Sequence, residues 1–143
     1  MTNETHKVVE SLNEAWNSHN VDRIVEHFAE EATFQDPLTP VALKGKTQLK
    51  AHLTGLLTAF PDFHVKLGQT MVNGGNAVSL STATGTNSGP MAGPSGKQIP
   101  ATNLKLKHEA AIHIETGANG KIVAARVYGD SLTIFQQLGL SPQ

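Results

Sequence analysis

The chain has 143 residues, no cysteine, 38% hydrophobic residues and a formal net charge of -1. That length is enough to bury a core in one domain, the near-neutral balance offers no basic face to nucleic acid or an anionic membrane surface, and without cysteine there are no disulfides and no thiolate metal sites. No run approaches the ~20 apolar residues that cross a bilayer, and the start Met1-Thr2-Asn3-Glu4 carries no apolar segment of the secretory kind, so a cytoplasmic protein is expected.

His6 to Ser18 spaces Val8, Leu12, Ala15 and Trp16 along one face of a helix. Asn20 is placed to cap a second helix, with Asp22 in its first turn, and Val21, Ile24, Val25 and Phe28 repeat the helical spacing. Ala32 to Gln35 reads as a short strand stopped by Asp36-Pro37, since proline has no N–H to give a ladder. A loop from Leu38 to Lys46 leads into a third helix, whose stripe is Leu49, Leu53, Leu56, Leu57 and Phe60 and whose end is Pro61. From Phe63 the period becomes two: Phe63, Val65 and Leu67 alternate with His64 and Lys66. Asn73-Gly74-Gly75-Asn76 is a hairpin turn, and Val78 to Thr84 is the returning strand. Gly85 to Pro100, rich in Gly, Pro and Ser, reads as a long loop; Gly89 to Gly96 is either a mobile rim near a pocket mouth or an ordinary hairpin loop. Asn103 to Glu115 is a long strand with Leu104, Leu106, Ile112 and Ile114 on one face. Gly117 to Gly120 turns it into a last strand, and Ser131 to Leu138 forms a short closing helix. Helices first and antiparallel strands after them make an α+β layout, read as a single domain over residues 1–143. One sheet face covers the helices; a second copy of the chain is the economical cover for the other.

On the last strand, Ile122, Ala124, Arg126, Tyr128 and Asp130 share a face, because strand side chains repeat every second residue. A turn that pairs Glu115 with Lys121 would set His108 opposite Tyr128 and Leu106 opposite Asp130, and so place His108, Arg126, Tyr128 and Asp130 together. His113 falls on the other face, with Lys107, Glu109 and Glu115. His19, His52 and His64 read as surface residues, and His27, beside Phe28, as a satisfied, partly buried histidine. No two histidines share metal-ligand spacing with a carboxylate, and neither a Gly-x-Ser-x-Gly nucleophile nor a phosphate loop is present, so neither metal nor cofactor is expected.

Three segments together resemble the nuclear-transport-factor-2-like superfamily, and within it the SnoaL-like polyketide cyclases: AWNSHNVDRIVEHFAEEATFQDP (residues 15–37), GKTQLKAHLTGLLTAFPDFHV (45–65) and GKIVAARVYGDSLTIFQQLG (120–139). Phe60-Pro61-Asp62-Phe63 and Asp130 with Gln137-Leu138-Gly139 carry most of the likeness. The resemblance implies a curved antiparallel sheet wrapped as a cone around the N-terminal helices, a deep apolar pocket for a hydrophobic small molecule, and a homodimer. It departs from the family in two places: Asn87 stands where many relatives have histidine, and Arg126 where many have tryptophan.

In that frame Asp130 is the first acid/base candidate, as a carboxyl whose pKa an apolar pocket would raise, with Arg126 or His108 stabilising an enolate oxygen. The plain alternative is that Asp130 caps the last helix and pairs with Arg126. Asp36 is the second base, as in ketosteroid-isomerase-like members, or else an Asx turn before Pro37. Trp16, Asn17, Tyr128 and Asn87 are expected to wall the pocket. The function implied is cofactor-free proton transfer on a hydrophobic carbonyl compound, leading to aldol-type cyclisation or isomerisation. The alternatives are a hydratase or epoxide hydrolase with Asp36 and Asp130 around one water, and a non-catalytic ligand-binding or dimerisation module.

Overall fold

The computed structural model describes residues 2–92 and 96–140. Its elements follow the reading above, with shifts that have physical reasons. The first helix, α1, runs Thr2–Asn17 and buries Val9, Leu12 and Ala15. Asn20 caps α2 (Val21–Val25) by accepting the Arg23 N–H at 3.2 Å. This helix is only one turn long: Phe28, expected on its stripe, opens strand β1 (Phe28–Gln35) instead. Pairing with the last strand outweighs helical spacing there, since Phe28 lies opposite Ile122 and both side chains are fully buried. Two residues of the next loop form β2 (Leu43–Lys44), paired with Thr33 and Phe34. Helix α3 (Lys46–Ala59) buries Leu49 and Leu53 and stops at Phe60-Pro61.

Strands β3 (His64–Asn73) and β4 (Asn76–Thr86) form the hairpin that the Asn-Gly-Gly-Asn turn demands. The long loop carries a small ribbon, β5 (Met91–Ala92) with β6 (Gln98–Ile99); Gly93 to Ser95, the tip of the expected rim, lie outside the described residues. Strand β7 (Lys105–Thr116) pairs with β4 along its whole length and with β8 (Ile122–Tyr128) over its second half. Helix α4 (Ser131–Gln137) closes the described chain and packs on β7.

The six-stranded sheet has the order β2-β1-β8-β7-β4-β3. Every pairing is antiparallel except β1 with β8, which run parallel. Irregularities in register between Leu67 and Thr70, between Phe28 and Thr33 and between Glu115 and Thr116 bend it, as bulges do. Helix α1 packs against β3 and β4 on the concave side. A core of Leu12, Ile24, Phe28, Leu53 and Ile122 fills one end, and a second cluster of Phe60, Phe63, Leu106, Ile134 and Leu138 lies at the other. Between them the sheet curves around a hollow. No helix of the described residues is long and apolar enough to cross a membrane.

Candidate active site

The hollow follows from side-chain size. The inward positions of β4 are Ser79, Ser81 and Ala83, too small to reach Leu12 and Trp16 on α1, and the volume they leave is a cavity of about 110 Å³. One water needs only ~10–15 Å³, so this space has room for more than a single water. Its walls are almost wholly apolar; the polar groups on them are Asn13, Asp36, Ser79, Ser81 and His108. Ser79 Oγ is shared with Thr70 Oγ1 at 3.0 Å, and Ser81 Oγ donates weakly to the Ala110 carbonyl at 3.4 Å.

Asp36 borders this cavity with a side chain only 10% exposed. Both of its oxygens are held. Oδ1 accepts the Leu38 N–H at 2.9 Å, the Asx turn that Asp-Pro favours, and Oδ2 lies 2.7 Å from Nε2 of His52. A carboxylate has only acceptor oxygens, so Nε2 carries the proton of that bond. The turn itself is closed by Thr39, whose Oγ1 accepts the Asp36 N–H at 2.8 Å. The Asx turn and the pocket position therefore occur together. His52, expected at the surface, is instead the partner of Asp36. The signal for it was present in the sequence, since His52 sits three residues after Leu49 and four before Leu56, on the apolar stripe of α3.

His108 is the second polar group of note. It points inward from β7 and is 6% exposed. Its Nε2 accepts the backbone N–H of Asp130 at 2.9 Å, so the neutral ring carries its proton on Nδ1. Nδ1 takes no protein partner among the described residues, and no fully buried side-chain N or O there lacks a partner, so Nδ1 keeps some accessible surface on a residue that borders the cavity. Burial lowers the pKa of His108 below its ordinary value, against a smaller upward pull from the Asp130 carboxylate. Gly129 makes room for the ring: a methyl group there would overlap His108 Cε1 and come within 3.1 Å of Pro37 Cγ. The Asp36-Pro37 turn and His108 thus meet at the same corner of the cavity.

Asp130 itself is elsewhere. It is exposed and caps α4, with Oδ1 accepting the Thr133 N–H at 3.2 Å and Oδ2 the Thr133 hydroxyl at 2.8 Å. Those bonds lower its pKa, where an apolar pocket would have raised it. The β8 face expected from the turn is corrected as well. The register differs from the expected one by three residues, two from the turn, where Thr116 pairs with Ile122, and one from the Glu115–Thr116 irregularity, so that Ile114 pairs with Ala125 and His113 with Arg126. An odd shift reverses which side chains face inward. Ala125 and Val127 therefore line the cavity, while Arg126 and Tyr128 stand on the outer face, the guanidinium 4.7 Å above the phenol ring. His113 is outside as expected, bonded to Asn76.

Of the expected pocket walls, Trp16 borders the cavity and packs on Phe63 with ring centroids 5.6 Å apart. Asn17 does not: its amide exchanges two hydrogen bonds with the backbone of Val65, at 2.8 and 2.9 Å, and Asn13, one turn earlier, borders the cavity instead. Asn87 is fully buried and wholly consumed by the backbone carbonyls of Ala59 and Gly89 and by the N–H and hydroxyl of Thr102. Asp36 and His108 are thus brought together, and Asp130, Arg126, Tyr128, Asn17 and Asn87 are not. The two-carboxylate arrangement around one water is not assembled. Among the described residues no group of three or more His, Asp or Glu is placed to hold a metal ion.

Comparison with known proteins agrees with this architecture. The family model of SnoaL-like polyketide cyclases matches residues 6–138. No curated protein matches the chain. Among solved structures, a protein from Jannaschia sp. CCS1 described as a SnoaL-like polyketide cyclase superposes with a TM-score of 0.84 at 19% identity, over 99% of this chain and 95% of that one. A protein of ketosteroid isomerase-like fold from Catenulispora acidiphila gives 0.76 at 17% identity, over 94% and 93%. An LEH-like epoxide hydrolase from M. tuberculosis gives 0.71 at 17%, over 96% and 90%. At these identities the structural likeness is one of fold.

Proposed function

The chain belongs to the SnoaL-like polyketide cyclase family, and from that premise we propose that it is a cofactor-free acid–base enzyme acting on a hydrophobic carbonyl compound, as a homodimer in the cytoplasm. The reaction is proton abstraction beside the carbonyl, leading to aldol-type ring closure or isomerisation. Asp36 takes the proton, and the neutral His108 donates its Nδ1–H to the enolate oxygen that develops. The observation that carries this reading is one carboxylate and one buried neutral imidazole at the same corner of a cavity whose other walls are mostly apolar, with Asn13, Ser79 and Ser81 the remaining polar groups. Apolar walls keep water from competing for the base and strengthen the hydrogen bond to the oxyanion. Asp130 and Arg126 have no part in this step, because neither reaches the cavity.

The test needs no knowledge of the natural substrate. 5-Nitrobenzisoxazole is a flat, apolar carbon acid; when a base removes its C–H proton, the C–H pair becomes a C–N bond of a nitrile and the N–O bond breaks to a coloured phenolate. Asp36→Asn, which keeps the shape and removes the base, is expected to lower this turnover by about 100-fold or more. A wild-type rate no better than free acetate, or an unchanged Asp36→Asn rate, would overturn the assignment. If the probe still quenched Trp16, the sole tryptophan and a cavity wall, the binding-module reading would then take its place.

A further inference from the structure

We propose that His52 is a positioning residue for Asp36, holding the carboxylate in its reactive orientation from outside the cavity; this rests on Asp36 being the base. Asp36 lies between two environments. One side borders the cavity, and the other meets His52 Nε2 at 2.7 Å. His52 does not border the cavity, and its side chain is 19% exposed, so it touches no molecule bound within. It is well placed to hold still. Its backbone is in the middle of α3, between the buried Leu49 and Leu53, and its ring packs on Phe34 with centroids 5.8 Å apart.

Asp36 needs such a support. It follows the last residue of β1 and precedes a proline, so no ladder bond holds it. The Leu38 N–H restrains one oxygen; a single bond leaves the carboxylate free to turn about its axis, and the second bond, from His52, removes that freedom. A base held in a near-attack geometry gains rate that a freely turning one loses, and a misplacement of ~1 Å costs up to ~100-fold. The pair also leaves the catalytic oxygen's direction to a rigid helix instead of a turn.

The experiment reads kcat and KM for 5-nitrobenzisoxazole in His52→Leu, His52→Gln, Asp36→Asn and the double variant Asp36→Asn/His52→Leu. His52→Leu is expected to lower kcat about 10- to 100-fold with KM unchanged. His52→Gln, whose amide N–H donates from a similar place, recovers most of that loss. The double variant is no slower than Asp36→Asn, because the effect passes through the carboxylate. If His52→Leu fails to fold, His52→Asn, polar but too short to reach, is read in its place. Full kcat in His52→Leu or His52→Asn, or no recovery with Gln, or an added loss in the double variant, each overturns the role of His52 while Asp36→Asn remains slow. A fast Asp36→Asn instead removes the base assignment itself, and the two failures are told apart.

Discussion

Protonating His108 would cost it the Asp130 N–H, because an imidazolium has two donors and no acceptor. Burial acts in the same direction, and the pKa of His108 lies below the 6.5 of a free imidazole. The consequence for stability has a definite sign. Above pH 6.5 the ring is neutral in both folded and unfolded chains and adds no pH dependence. As pH falls below that value the unfolded chain takes up a proton that the folded chain resists, so stability declines until the folded ring also protonates. Asp130 and Asp62 act lower: their folded pKa values lie below 3.8, so their contribution is complete above that value and fades beneath it. The thermal midpoint of the wild type is therefore expected to fall as pH drops from 6.5 toward the carboxylate range. His108→Gln, which cannot titrate, should lose that limb while keeping the one at acid pH. Thermal melts in a pH series check it, and a variant with an unaltered upper limb would place the titration elsewhere.

The elements carry their own lesson at Asn87. Its side chain joins the C-terminal end of α3 to both ends of the loop that leaves β4, through Ala59, Gly89 and Thr102. Gly89 belongs to the same joint, since a side chain there would overlap the Thr58 carbonyl. Asn87→Ala leaves buried backbone groups unpaired and is expected to cost about 1–3 kcal/mol. Binding of 5-nitrobenzisoxazole, read through Trp16, should hold, because Asn87 does not border the cavity; chemical denaturation and quenching check the two halves. The joint was not legible from composition, because a buried amide and a solvated one look alike until the loop is folded back on them. The helices and the β3–β4 hairpin were legible, since Leu49, Leu53 and Phe60 keep a helical period and Asn73 to Asn76 admits few conformations. The face of β8 was not. One extra residue beside Thr116 reversed Arg126 and Tyr128, and period-two reasoning has no way to see a bulge. Asp36 could be named from its proline and its setting, whereas His52 needed the tertiary contact that turns an odd polar residue on an apolar stripe into a partner.

At the scale of the molecule the sheet has two faces, and both hydrophobic clusters pack on one of them. The concave face is covered by α1 and encloses the cavity. On the convex face the pairings set Leu80, Ala111 and Tyr128 side by side across β4, β7 and β8, and Leu80 and Tyr128 are 46% and 51% exposed. Met71, 48% exposed, and Val78 lie beside that row. Apolar side chains laid in contact across three strands form a patch, which a second copy would cover with the same patch about a two-fold axis. Polar neighbours on this face adjoin the patch: Glu109 lies two residues from Ala111 on β7, His113 stands between Val78 and Arg126, and the Arg126 guanidinium lies 4.7 Å over the Tyr128 ring. The homodimer proposed above therefore predicts that light scattering of the wild type gives twice the 15.2 kDa of one chain. Leu80→Glu, which sets a like charge against itself across a two-fold axis and buries it, should return the single-chain mass with an unchanged far-ultraviolet spectrum. Because the patch and the cavity lie on opposite faces of the sheet, that variant should still quench Trp16 on binding 5-nitrobenzisoxazole. A wild type that is already monomeric would leave this face to solvent and remove the second copy from the proposal, with the Asp36 and His108 chemistry untouched.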